Sequence, residues 1–434
     1  MDRRRFLARS GTAFGTALFT PALVACTEEQ SQTLDTNSWQ SIREQFLLDH
    51  SHIQMAQMLL ASHPTPVREA IQKHRDAFDR NPALYWEENW RPQEDIVSKA
   101  AAKYMNVDPG EVVLTDSTTQ SLAMLYNGFK LKPGDEILTT THDHYATEMS
   151  LKFACDKNGA TINRIAEYAD PVTATVDEIT SNISNAITDK TRIVAVTWVH
   201  SCTGIKLPIK AISEVIADVN TNRSIADRIY FCVDGVHGFG NQDEDISGLG
   251  CDFFAAGTHK WIFGPRGTGI LWGKKDAWDA VAPTIPAFRW NPYGMWLGFP
   301  PEGEVTFGEM CSPGGFHAFD HRWALDAAFE FQMEIGRNKV HQRTTELNTR
   351  LKDGIKEMKH IKLLTPLSPE LSAGINCFEI DGLDAETTVK KFHEQGVIAS
   401  SSPYRISYAR LTPCIINTEE EVDKSLEALE MIKA

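Results

Sequence analysis

Short apolar runs rich in β-branched residues recur at positions 112–115, 136–140, 161–165, 193–199, 229–233, 253–256 and 269–272, and the stretches between them carry apolar residues at helical spacing. Strands this short and this apolar are covered on both faces, and the intervening helices supply the cover. The pattern therefore demands an α/β architecture built on a mostly parallel, seven-stranded sheet. Crossover helices are expected at 119–129, 145–158, 176–187 and 208–219. A Pro-, Gly- and Trp-rich stretch at 283–303 then gives way to a long helical pattern over 316–358. Beyond it, strands at 375–380 and 404–408 and helices at 385–395 and 418–432 predict a small α+β C-terminal domain, with capping-box spacing at Thr418 to Glu421. The expected division is a large domain over 76–310 and a C-terminal part over 311–434, with residues 39–75 packing on the small domain.

The chain has 434 residues, enough for two or three domains. Hydrophobic residues at 42% and charged residues at 23% exclude a wholly disordered chain and a multispanning membrane protein. The 43 Lys and Arg stand against 58 Asp and Glu, so no general affinity for nucleic acid is expected. The first 25 residues stand apart. Arg3-Arg4-Arg5-Phe6-Leu7 precedes an uncharged stretch that is too short and too polar to span a bilayer. It resembles a twin-arginine export signal, and Leu23-Val24-Ala25-Cys26 resembles a lipoprotein cleavage site. Residues 1–25 are thus expected to be removed, Cys26 to carry a lipid anchor to the membrane, and 26–38 to form a tether in the periplasm or cell envelope. Of the eight cysteines, the seven other than Cys26 show no CxxC spacing, and neither a disulfide framework nor a zinc ribbon is expected.

Chemistry concentrates where strands end. Asp234 closes the apolar run before Gly235-Val236-His237, and a carboxylate at that place needs a partner. Lys260 directly follows another such run and precedes a Gly-rich turn, Gly264-Pro265-Arg266-Gly267-Thr268-Gly269. Ser117-Thr118-Thr119-Gln120 opens a helix after a strand, where hydroxyls and backbone amides can hold a phosphate or simply cap the helix. His142-Asp143-His144 has the spacing of half a metal site, but no third ligand stands at a recognised interval, so no metal is expected.

Together, Val233-Asp234-Gly235-Val236-His237-Gly238 and Gly257-Thr258-His259-Lys260-Trp261 with its Gly-rich turn resemble the class V aminotransferases of fold-type I, which use pyridoxal 5′-phosphate (PLP). The resemblance runs from about Phe46 to the C-terminus. It implies that Lys260 binds the cofactor aldehyde and that Asp234 pairs with the ring nitrogen, keeping it protonated and the ring a better electron sink. Lys260, once displaced by a substrate amine, is then free to act as general base. The resemblance further implies that His144 stacks on the ring, that Thr118, Thr119, Thr258 and His259 approach the phosphate, and that His237 lies near the phenolic oxygen. Ser201, at a position often Asn in relatives, and its neighbour His200 are further candidates. Arg410, in Arg410-Leu411-Thr412-Pro413 followed by Asn417-Thr418-Glu419-Glu420-Glu421, is implied to grip a substrate α-carboxylate, which suits a two-pronged donor. Arg405 is a second candidate, for another acidic group or for a structural ion pair. Ser312, in Cys311-Ser312-Pro313, stands where the family reaches the phosphate of a partner subunit, which implies a homodimer.

Such a site supports transamination, racemisation, elimination and desulfuration alike. Positions 396–403 hold no cysteine, which disfavours a cysteine desulfurase, and Cys414 beyond Arg410 is read as structural. Asp49-His50-Ser51-His52-Ile53-Gln54-Met55 and Asn81-Pro82-Ala83-Leu84-Tyr85 look closest to the isopenicillin N epimerase-like branch, a broad group with exported members that act on siderophore peptides. An aminotransferase-type reaction on an amino acid or peptide-like small molecule is the leading expectation. Epimerisation is the alternative within enzymes, and a non-catalytic binding lipoprotein the alternative outside them. Phe288, Trp290, Tyr293, Trp296 and Phe299 either wall a bulky substrate or pack at an interface.

Overall fold

The computed structural model describes residues 34–434. The expected signal segment, Cys26 and most of the expected tether lie outside the described residues. In chain order the strands are β1 (Ile53–Gln54), β2 (Val112–Thr115), β3 (Glu136–Thr140), β4 (Thr161–Ile165), β5 (Thr191–Thr197), β6 (Tyr230–Asp234), β7 (Phe253–Gly257), β8 (Gly269–Gly273), β9 (Ile361–Leu363), β10 (Asn376–Ile380), β11 (Val397–Ile398), β12 (Ser400–Ser401) and β13 (Ala409–Leu411). Seven of them form one sheet in the order β2-β8-β7-β6-β5-β3-β4. Only β8 runs antiparallel to its neighbours, so the chain has a fold-type I α/β architecture.

Alternation along the strands explains why both sheet faces are dry. Val194, Val196, Phe231, Val233 and Phe254 face one hydrophobic core, while Ile193, Ala195, Cys232, Phe253 and Ala255 face the other. Helices Thr118–Gly128, Tyr145–Asn158, Val176–Ala186 and Ile209–Asn220 lie within a residue or two of the expected positions. The register Thr197↔Asp234↔Ala255 brings the carboxyl ends of β5, β6 and β7 side by side.

Three regions depart from the sequence expectations. The long helical pattern is cut into Phe319–Arg322, Leu325–Ile335 and Arg337–Lys356. The last break falls at Gly336, whose φ of 98° is open to glycine and costly for other residues. Residues 404–408 form no strand; they are the loop between β12 and β13. Helices Thr65–Arg80 and Pro82–Met105 have no counterpart among the expected elements, although each carries a proline in its first turn, where the missing N–H costs nothing.

The C-terminal sheet has the order β12-β13-β10-β9, and β1 pairs in parallel with β11. Thr418 and Glu421 make both capping-box hydrogen bonds at the start of the last helix. All seven described cysteines are free and buried. Among the described residues no helix is long and apolar enough to cross a membrane.

Candidate active site

The loops leaving the carboxyl ends of the central strands enclose a cavity of about 170 Å³ that holds Asp234 and Lys260 together. Asp234 is the last residue of β6. Its Oδ1 accepts from the Val236 backbone N–H at 3.1 Å, and its Oδ2 accepts from Thr147 Oγ1 at 3.4 Å. Burial raises its affinity for a proton, while the Val236 amide and Lys260 pull it back down. Lys260 lies three residues past β7. Burial lowers the pKa of its amine, Asp234 opposes that shift, and Arg410 adds to it.

His237 fixes the other side of the amine. Its Nε2 is 3.3 Å from Lys260 Nζ, and its Nδ1 accepts from Trp261 Nε1 at 3.4 Å. Burial, with Lys260 and Arg410 nearby, keeps this imidazole neutral. An accepting Nδ1 then assigns the single ring proton to Nε2, facing the amine. His144 is held similarly: as N-cap of Tyr145–Asn158, its Nδ1 accepts from the Ala146 N–H at 3.2 Å. Behind it, buried Asp143 accepts from Thr139 Oγ1, from the Thr140 N–H and Oγ1, and from Thr197 Oγ1, at 2.6–2.9 Å.

The residues present fit PLP. Ser117, Thr118 and Thr119 line the cavity at the N-terminus of Thr118–Gly128, where free amides and the helix dipole favour an anion. A Cβ at Gly257 would fall 2.8 Å from Thr118 Oγ1 and 2.9 Å from the His259 ring, so glycine is what lets these segments close on one another. His259 lines the cavity, and its buried Nδ1 has no hydrogen-bond partner among the described residues. Arg410 enters from β13. It is 2% exposed, and its donors reach Ser201 O at 3.0 Å, Ser401 O at 2.6 Å and Ser400 Oγ at 3.3 Å.

Two expected contacts, Thr258 and Arg405, are not brought to this cavity. Thr258 is buried beside the lysine but bonds Thr268 Oγ1 at 2.5 Å, its hydroxyl taken up in stapling the Gly-rich turn. Ser312, expected at the phosphate of a partner subunit, donates within its own chain to Gly308 O at 2.6 Å and accepts from the Leu114 N–H at 3.2 Å. Arg405 is exposed in the β12–β13 loop and does not line the cavity. The aromatic residues of 283–303 do not line it either.

Sequence reasoning missed Tyr404, whose hydroxyl is 3.0 Å from Ser201 Oγ and whose ring meets His144 edge-on at 5.9 Å. Assigning 404–408 to a strand hid it. Thr147 and Trp261 were missed as well, because each acts through a neighbour, and only the helical spacing from His144 to Thr147 signals the first.

A buried strand-end carboxylate and a half-buried lysine sharing one cavity at the carboxyl edge of such a sheet define a PLP-dependent enzyme of fold-type I. The family model described as aminotransferase class-V matches residues 94–424, and the chain belongs to that family; its cofactor is PLP. It is 26% identical over 366 residues to an isopenicillin N epimerase of Streptomyces clavuligerus, covering 81% of this chain and 85% of that one. It is also 26% identical over 342 residues to a cysteine desulfurase of Yersinia pseudotuberculosis, covering 74% and 78%. Among solved structures, a mutant of C-DES with glycine covalently linked to its PLP cofactor superposes with a TM-score of 0.80 at 23% identity, over 90% of this chain and 99% of that one. An apo cysteine desulfurase of Thermococcus onnurineus gives 0.75 at 19% identity, over 90% and 97%.

Proposed function

We propose that the protein is an aminotransferase acting on an amino acid or a peptide-like amine with a free α-carboxylate. The observation that carries this reading is Arg410, a buried guanidinium with no carboxylate partner among the described residues, opening into the cavity that holds Lys260. PLP, when bound, withdraws electrons from the bond broken at the substrate Cα.

The chain's own groups do the rest. Arg410 clamps the carboxylate and so fixes which Cα bond stands nearest Lys260. Burial leaves the Lys260 amine deprotonated at a lower pH than an ordinary lysine, so it can take the Cα proton and relay it onward. His237 directs its Nε2–H at the place where an anionic oxygen would sit beside that amine. Asp234 offers a carboxylate with raised proton affinity, suited to holding a ring N–H. An amine that takes the Cα proton and delivers it to a carbon other than Cα supports transamination.

Epimerisation is the second reading. It is favoured by the epimerase relative and by Tyr404, whose hydroxyl brings a second proton carrier beside His144. Desulfuration is disfavoured because no cysteine among the described residues lines the cavity. Export through the twin-arginine route and lipidation at Cys26 are proposed from residues 3–7 and 23–26, with periplasmic siderophore-type peptides as a substrate class. A homodimer is proposed through the exposed aromatic face around Phe288, Tyr293, Trp296, Phe299 and Phe316.

The test incubates the holoenzyme with amino acids and siderophore peptides and assays keto product and substrate stereochemistry, with Lys260→Ala as control. Keto product that needs Lys260 supports transamination, and inverted Cα without keto product replaces it by epimerisation. A Lys260→Ala protein that keeps full activity and a borohydride-reducible yellow colour overturns both readings.

A further inference from the structure

Three neighbouring strands, β5, β3 and β4, each send one metal-ligating side chain from just past the carboxyl end: His200, His142 and Glu167. Their ligand atoms lie within 4.8 Å of one another. The expectation of no metal rested on the lack of a third ligand near His142-Asp143-His144. Tertiary structure supplies that ligand from separate segments and leaves His144 out. We infer that His142, Glu167 and His200 form a zinc site immediately behind the cofactor cavity.

The spacing suits one ion. His142 Nδ1 is 3.1 Å from both Glu167 carboxylate oxygens, and His200 Nδ1 is 3.3 Å from Oε1. Ligands about 2.0–2.1 Å from a tetrahedral zinc stand roughly 3.3 Å from each other. The His142 and His200 rings lie 18° from parallel with centroids 5.3 Å apart, and the ligand atoms of the trio stay within 4.8 Å of one another. His200 makes its polar contacts only through Nδ1, the atom facing Glu167, while its Nε2 is buried without a partner.

Charge points the same way. The Glu167 side chain is 0% exposed, and no Lys or Arg among the described residues pairs with it. A dication held by one carboxylate and two imidazoles balances that buried charge, and this mixed nitrogen and oxygen set suits zinc better than magnesium or calcium. Two further hydroxyls reach the site: Tyr168 Oη is 3.0 Å from His200 Nδ1 and 3.0 Å from Thr203 Oγ1, and Thr141 Oγ1 is 3.4 Å from His142 Nδ1. With zinc on His200, the Tyr168 hydroxyl keeps Thr203. The His142 side chain, 23% exposed, gives the ion its entry path and leaves room for water as fourth ligand.

The position gives the site a use. His144 and Ser201, which line the cavity, lie two and one residues from His142 and His200. An ion at the trio ties together two walls of the cavity without touching its contents, and the assignment does not rest on the reaction proposed above.

The full-length holoprotein, stripped with chelator and re-equilibrated with excess zinc chloride, is freed of unbound metal by gel filtration and analysed for zinc by mass spectrometry. About one zinc per chain and a zinc-dependent rise in Tm are expected. Glu167→Gln and His142→Ala should each weaken zinc binding by at least the roughly 10- to 100-fold seen on loss of an outer-shell partner, while His144→Ala keeps it. PLP absorbance is followed in the same samples, so loss of cofactor and loss of metal are read separately. Zinc well below one per chain in the unmodified protein, or retained equally by both variants, overturns the site. Should Glu167→Gln fail to fold, the partly exposed His142→Ala decides alone.

Discussion

Arg322 and Arg410 are both almost fully buried, 4% and 2% exposed, and their surroundings differ in kind. Arg322 Nε lies 2.9 Å from Glu94 Oε1, and its Nη2 donates to Glu94 Oε2 and to Leu114 O, each at 3.2 Å. Glu94 also receives the Trp323 indole N–H at 3.2 Å and an Arg289 donor at 3.4 Å. Burial opposes ionisation of Glu94, but Arg322 and Arg289 outweigh it and hold the carboxyl below its usual range. Arg410 has only two carbonyls and a serine hydroxyl. Burial is therefore common to both, and the missing counterion separates a guanidinium that builds the fold from one that awaits a ligand. Lys352 sharpens the point: it too is buried on carbonyls and a hydroxyl, bonding Pro366 O, Leu367 O and Ser372 Oγ, but it opens into no cavity beside Lys260.

The contrast can be broken most decisively at Arg322. Arg322→Met leaves buried Glu94 with only Trp323 and the longer Arg289 contact and is expected to cost about 3–5 kcal/mol of stability, read from urea melts, with Glu94→Gln restoring part of it. An unchanged melt would remove the distinction. Arg410→Met strands no carboxylate and should leave the melt within about 1 kcal/mol of the parent. Its kcat/KM for substrates with a free α-carboxylate should fall by the equivalent of about 2–5 kcal/mol, while analogues lacking that group are little affected.

The pH profile gives a finer test. Arg410 lowers the pKa of Lys260 and Asp234 raises it, so Arg410→Met should move the limb on which activity rises with pH upward, and Asp234→Asn should move it downward. Arg322→Met should leave the limb in place. The smallest effect is expected at the surface. Arg343 holds the Glu419 carboxyl down to about 2 from an ordinary 4.5. The stability this pair contributes is present above about 4.5 and is lost as pH falls toward 2, and because the Glu419 side chain is 57% exposed, Glu419→Gln should cost under about 1 kcal/mol, seen as a flatter acid limb of Tm.

What the sequence made legible follows from the same physics. The strand runs are apolar on both faces, so their burial is written in composition, and Asp234 and Lys260 stand out because charge beside such runs has few explanations. Hydroxyls are harder. Thr118 and Thr258 look equally able to meet a phosphate, but one faces the cavity and the other bonds Thr268. Glu167 carried no local signal, since its partners arrive from two other strands. The helices over 65–105 had no counterpart among the expected elements, although each carries a proline in its first turn, a signal of a helix start.

The pairing of β1 with β11 sets an order on the making of this molecule. Met55 O receives both the backbone N–H and the side-chain hydroxyl of Thr412, a partner 357 positions later, and Met58 and Leu59 beside it wall the cavity. Newly made chain must therefore hold its beginning in reserve until its end has left the ribosome. A nascent protein stalled short of residue 412 lacks the partner that holds Met55, so a finished pocket awaits the C-terminal part of the chain.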